Sequence, residues 1–254
     1  MRTHQAVALF AAILALALTG AAVHAQQTIA INYSVVPKTG MTTQFEAALK
    51  NHVAWRVANG DPWTWGVSMR VAGDGLGEYS IRSSGHSWAD LDAYDADFGP
   101  VAFDNWMATV QPLVESVSNT ISVINEDWSH RQPEGRAVNL VNIATFHVRP
   151  GQQERFNELV GQATTALKAA NVDYYWLFST PVVGGGMGPV WNVVGLADSW
   201  TDMEPRDAEF VEAMTAHMGA DAAQEWVEEF GQVIRGMESQ VRRLRPDLGT
   251  AGTS

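Results

Sequence analysis

Residues 87–98, SWADLDAYDADF, return at 199–210 as SWTDMEPRDAEF, at an offset of 112. Outward from this block the match continues. Upstream, at an offset of 111, Phe45 falls on Phe156, Trp63 on Tyr174, Trp65 on Trp176, Ser68 on Ser179, and the cluster Gly73 to Gly77 on Gly184 to Gly188. Downstream, at an offset of 120, Trp106 falls on Trp226, Ile121 on Val241 and Asp127 on Asp247, so the second copy holds extra residues between Phe210 and Trp226. A self-match of this kind constrains the architecture before any single motif does, because it implies one supersecondary unit built twice.

Each copy reads β-α-β-β-α-β. The first strand is expected at 29–36 and again at 140–148. A helix follows in which Phe45, Ala48, Leu49, His52 and Val53, or Phe156, Leu159, Val160, Ala163 and Leu167, recur at helical spacing. Two strands rich in Trp, Tyr and Val flank the glycine cluster, which reads as a hairpin tip. Ser87 and Ser199 should each open a second helix, with Asp90 or Asp202 three residues on completing a capping box. The last strands are expected at 120–124 and 240–244, although the latter could prolong the helix that begins near Asp221.

The first residues carry Arg2, an apolar run from Ala6 to Leu18 and the small-residue stretch ending in Val23-His24-Ala25, the pattern of a secretory signal peptide. The expected organisation is a signal peptide at 1–25, a first repeat at 26–128, a linker at 129–138, a second repeat at 139–248 and a frayed tail at 249–254. Location in the periplasm or outside the cell follows from the signal, and no later run is long and apolar enough to anchor the chain by spanning. There is no cysteine, which excludes thiolate metal sites and covalent haem attachment through cysteine. A net charge of -12 argues against nucleic acid or an anionic membrane as partner.

A duplicated β-α-β-β-α-β unit with strand-to-helix blocks ending in Asp-Ala-Asp-Phe and Asp-Ala-Glu-Phe resembles the dimeric alpha-beta barrel superfamily of ferredoxin-like proteins. The resemblance implies an α+β fold in which the two units pack their sheets into one intrachain, pseudo-dimeric barrel. It implies a small-molecule ligand inside the barrel or between sheet and helices. Members include cofactor-independent monooxygenases, small isomerases and decarboxylases, stress-response proteins and the haem-binding chlorite dismutase group. No functional residue carries over, because no member motif maps onto this chain residue by residue.

Candidate residues come instead from the repeat used as an internal control: structural residues tend to recur, whereas a site can occupy one copy. No histidine recurs. His52 aligns with Ala163 on the apolar helix face and His147 lies on a strand that can face the barrel interior, so these two are the candidates for proton transfer. Tyr33, Trp63 and Trp65 are the expected ligand contacts beside His52. Trp55, Trp191 and Tyr175 lack aromatic counterparts and are further contact candidates. Gly85-His86-Ser87-Trp88-Ala89 approaches a nucleophile elbow, but Ala89 replaces the final glycine and a helix cap explains the serine. The glycine clusters lead into strands, not the helix a phosphate loop requires.

The leading expectation is an exported small-molecule-binding protein, in its enzymatic form a cofactor-independent monooxygenase or isomerase acting on a small apolar or aromatic compound. One alternative is a haem protein with His217 as iron ligand from a helix. Another is a non-catalytic envelope interaction protein whose exposed sheet edge or aromatics recruit a second copy. No residues are spaced as a metal-ligand set.

Overall fold

A computed structural model describes residues 28–184 and 188–250. The expected signal peptide lies outside them. The chain forms two halves with the same order of elements. In the first, strand β1 (Thr28–Pro37) leads to helix α1 (Thr42–Ala58), strands β2 (Gly66–Ala72) and β3 (Tyr79–His86), helices α2 (Trp88–Asp97) and α3 (Gly99–Thr109) and strand β4 (Val114–His130). In the second, β5 (Leu140–Val148) leads to α4 (Gln153–Ala169), β6 (Tyr175–Val183), β7 (Val190–Ala197), α5 (Asp207–Met218), α6 (Ala220–Val233) and β8 (Ile234–Leu244).

The eight strands close into one antiparallel barrel in the order β1-β3-β2-β8-β5-β7-β6-β4. Each half contributes four neighbouring strands, and the halves meet at two seams, β2 with β8 and β4 with β6. Closure removes the exposed sheet edge expected as a docking site for another chain, since every described strand has a partner on both sides.

Alternation along the strands sorts side chains into two layers. On β1, Ile31, Tyr33 and Val35 pack outward into the core beneath the helices of the first half, while Asn32 and Ser34 face the barrel cavity. Helix α1 buries Phe45, Leu49, His52 and Val53 in that core, and α4 buries Phe156, Leu159, Val160, Ala163 and Leu167 in the other. Phe45 meets Tyr79 at 5.0 Å between ring centroids, and Phe156 meets Trp191 at the same 5.0 Å. Trp191, expected as a ligand contact, is therefore the core counterpart of Tyr79, because the inserted residue falls in the loop before β7.

Other expectations needed adjustment. Ser87 caps α2 with the full capping box: its hydroxyl accepts from the Asp90 amide and Asp90 accepts from the Ser87 amide. Ser199 opens no helix. Asp202 accepts the amides of Asp198 and Ser199, a short 3-10 turn covers Thr201–Met203, and α5 starts only at Asp207, after Pro205. The extra residues after Phe210 lengthen α5, to 12 residues against 10 in α2. Both closing strands are longer than expected: β4 runs two residues into the expected linker, and β8 starts at Ile234, where α6 ends.

The expected frayed tail is tied down at its start. Leu248 is 1% exposed in the core of the first half, and Trp65 donates its amide to Thr250 Oγ1 and accepts the Thr250 amide. Arg245 reaches Glu46 on α1 and also pairs with Asp247. Leu248→Ala should cost about 3 kcal/mol of unfolding free energy in urea titration. A loss below about 0.5 kcal/mol would mean the terminal turn is undocked in solution.

Candidate functional site

In the first half the layer between sheet and helices is filled. Trp63 stacks on Tyr94 at 3.9 Å and on His86 at 4.0 Å, Trp65 lies 5.9 Å from Trp63, and Tyr33 lies 6.1 Å from Trp65. Tyr33, Trp63 and Trp65 thus share one cluster, to which His52 is joined through Arg56. His52 itself is 3% exposed and packs edge-on to Trp106 at 5.6 Å.

A polar relay runs through this cluster. Arg56 Nε donates to His52 Nε2 at 2.9 Å; since a guanidinium only donates, the ring proton sits on Nδ1 and is given to Asn105 Oδ1 at 2.6 Å. Arg56 also donates to Asp61 and to the Tyr94 hydroxyl, and its guanidinium lies 4.7 Å over the Trp65 ring. Asp61, its side chain 1% exposed, accepts from Trp65 Nε1 at 3.0 Å. Both nitrogens of His52 are committed within the relay. Burial, with Arg56 adding to it against the Asn105 hydrogen bond, holds its pKa down at about 4, so the ring is neutral at pH 7.

His147 is not brought to this cluster. It continues the inward-facing row of Thr145 to the end of the barrel, pairs with the largely exposed Glu238 at 3.0 Å, and has a buried Nδ1 without a partner. His52 and His147 thus occupy different halves and different layers.

The second half leaves its corresponding layer open. A pocket of about 460 Å³ lies between β5, β6 and β7 on one side and α4, α5 and α6 on the other. Its walls include Phe146, Trp176 and Phe178 from the sheet and Phe210, Trp226 and Phe230 from the helices. Trp226 and Phe230 stack at 4.9 Å, and Trp226 Nε1 donates to the Leu159 carbonyl, so this wall is fixed in orientation. The cause of the opening can be read from three replacements. Where the first half has His52, Arg56 and Tyr94, the second has Ala163, Leu167 and Arg206, all lining the pocket. At the mouth Arg206 lies 5.4 Å over the Tyr174 ring, beside Asp202, Glu204 and Asp207.

The barrel interior is a second cavity, of about 710 Å³, lined on one side by Asn32, Ser80 and Arg82 and on the other by Ile143, Leu177 and Val194, with Thr145, Ser179 and Asn192 among them. Arg242 and Arg70 both pair with Glu78 inside it. None of these three charged groups was singled out from sequence, although the repeat control would have found them: Arg70 aligns with Pro181 and Arg242 with Ser122.

A "putative monooxygenase" from Fusobacterium nucleatum superposes with a TM-score of 0.55 at 10% identity, covering 87% of this chain and 93% of that one. A chlorite dismutase from Candidatus Nitrospira defluvii gives 0.53 at 9% identity, with 87% and 92% covered. An anthrone oxidase-like protein gives 0.50 at 13% identity, with the same coverage. The chain has the dimeric alpha-beta barrel fold. No family model and no curated protein sequence matches it, so the likeness of this alpha-beta barrel to others lies in architecture.

The chlorite dismutase likeness raises the question of haem. A haem held by a proximal histidine does not fit the second-half pocket, because no histidine is among its lining residues and His217 is exposed on α5 outside them.

His52 makes a pH-dependent contribution whose sign is fixed. Its folded pKa is depressed from 6.5 to about 4, so its contribution is complete above pH 6.5 and is lost as the unfolded chain takes up the proton that the folded ring refuses. Urea titrations at pH 7 and pH 4.5 should show His52→Gln losing about 2 kcal/mol less than the parent protein between the two. Equal losses would contradict the buried, neutral ring.

Proposed function

We propose that this protein binds a small apolar, aromatic compound in the pocket between sheet and helices of its second half. The observation that carries this reading is the contrast between halves: the space taken by His52, Arg56 and Tyr94 in one becomes a cavity of about 460 Å³ in the other, walled by aromatic rings. A volume in this range, apolar walls and polar groups gathered at one side are general properties of small-ligand sites. The rings of Trp176, Phe178, Trp226 and Phe230 favour offset or edge contacts with a planar guest.

The enzymatic form of this reading is an oxygenase or isomerase acting on such a compound without a resident cofactor. Neighbours described as a putative monooxygenase and as anthrone oxidase-like support it. Acid–base groups would come from the mouth, where Glu204 and Asp207 sit beside Arg206, with Tyr174 below. His52, enclosed in the opposite half, is assigned no part in this chemistry. Function in the periplasm or outside the cell belongs to the same proposal and rests on the N-terminal sequence pattern alone.

Titration with 1-naphthol, followed by tryptophan fluorescence, tests the site. The parent protein should show saturable quenching, and Ala163→Trp, which fills the cavity, should weaken binding by about tenfold or more. Unchanged binding by Ala163→Trp, or no saturable binding by the parent protein, would overturn the reading.

A further inference from the structure

The barrel interior carries one charge that the fold leaves unpaired. Three arginines, Arg70, Arg82 and Arg242, line it against one carboxylate, Glu78, in a chain whose net charge is -12. Glu78 serves two of them, accepting from Arg70 at 2.8 Å and from Arg242 at 2.9 Å. The Arg82 side chain has no hydrogen bond or ion pair among the described residues. Burial alone holds its pKa below the ordinary guanidinium range, with no nearby carboxylate to offset it. Arg82 is half-buried with its guanidinium toward the cavity, and Arg70 Nε is a buried donor without a partner. An uncompensated charge inside a protein is costly, so a retained one calls for a counter-charge from elsewhere.

The surroundings of Arg82 are open and polar. Its cross-strand neighbours are Asn32 on β1 and Gly66 on β2, and the glycine leaves the flank of the arginine without a covering side chain. The matching trio in the second half is Ile143, Leu177 and Val194, related by the same strand pairings. In the closed order β3 and β7 are four strands apart in a ring of eight, so the two trios stand on opposite walls of one cavity of about 710 Å³. One wall suits an acid group; the facing wall suits hydrocarbon.

We propose that the barrel interior is a second binding site, for an amphipathic organic anion whose carboxylate is held by Arg82 and whose apolar part lies against Ile143, Leu177 and Val194. A planar guanidinium with two parallel donors matches a carboxylate, and Asn32 supplies a further amide group at its side. This site is independent of the second-half pocket, from which the sheet separates it.

Calorimetric titration of the full chain with octanoate, and with octan-1-ol as the uncharged counterpart, tests the proposal. Octanoate should bind at one site and octan-1-ol much more weakly. Arg82→Met should weaken octanoate by about tenfold or more, while the ligand-free variant melts no lower than the parent, since it sheds an unpaired buried charge. Ala163→Trp should leave octanoate binding unchanged, which separates this site from the pocket for aromatic compounds. The proposal is overturned if octan-1-ol binds as well as octanoate, if octanoate does not bind, if Arg82→Met binds octanoate as the parent does, or if Ala163→Trp abolishes octanoate binding. Should Arg82→Met fail to fold, the proposal falls on that structural role unless Arg82→Lys folds and binds octanoate more weakly than the parent; the octanoate against octan-1-ol comparison on the parent stands in either case.

Discussion

The two seams, β2 with β8 and β4 with β6, are the constraint on which the rest of the molecule depends. A four-stranded sheet from either half alone would leave two edges of unpaired backbone groups, and each seam satisfies one edge of each half. Closure then creates two environments from one set of strands. Outward side chains must be covered by helices, which gives the two aromatic cores; inward ones face an enclosed space, where polar groups need partners. The Arg242–Glu78 pair crosses the β2–β8 seam inside that space, with Arg242 donating also to Ser68 and Gln240. Charge there aids register between the halves as well as lining the cavity.

Within this shared frame the halves differ in how they fill the layer beneath their helices. The first uses a connected polar relay, Asn105–His52–Arg56–Asp61, in which the charged groups are paired and both histidine nitrogens are satisfied. Such a network is tolerable in a core only when every member has a partner. The second half dispenses with the relay and packs aromatic rings around a hollow. A layer that is solid in one half and open in the other is difficult to explain as packing economy, because an apolar cavity forfeits dispersion contacts along its whole lining.

Much of this architecture was legible in the sequence. The offsets from Phe45 to Trp226 give the element order, and Ser87 with Asp90 gives the start of α2. The length of β4 was not legible, because residues such as Ser116, Ser118 and Thr120 are polar on a strand that has one face toward a polar cavity, which erases the usual alternation. Nor was the late start of α5, where Asp202 keeps its capping role while Pro205 displaces the helix. Among candidate site residues, Tyr33, Trp63, Trp65 and His52 do gather, whereas His147 stands apart at the barrel end. The second-half pocket escaped notice because a cavity is set by summed side-chain volumes across several elements, and Ala163, Leu167 and Arg206 carry no motif. The interior arginines escaped because the repeat comparison was applied to histidines, aromatic residues and aspartates but not to arginines.

A crystal of the protein pressurised with xenon measures this asymmetry of packing directly, since xenon enters preformed apolar cavities without needing a specific contact. The account predicts xenon density between Ala163, Leu167, Phe178, Trp226 and Phe230, and none among His52, Trp63 and Tyr94. Xenon in the first-half layer, or in neither, would contradict it.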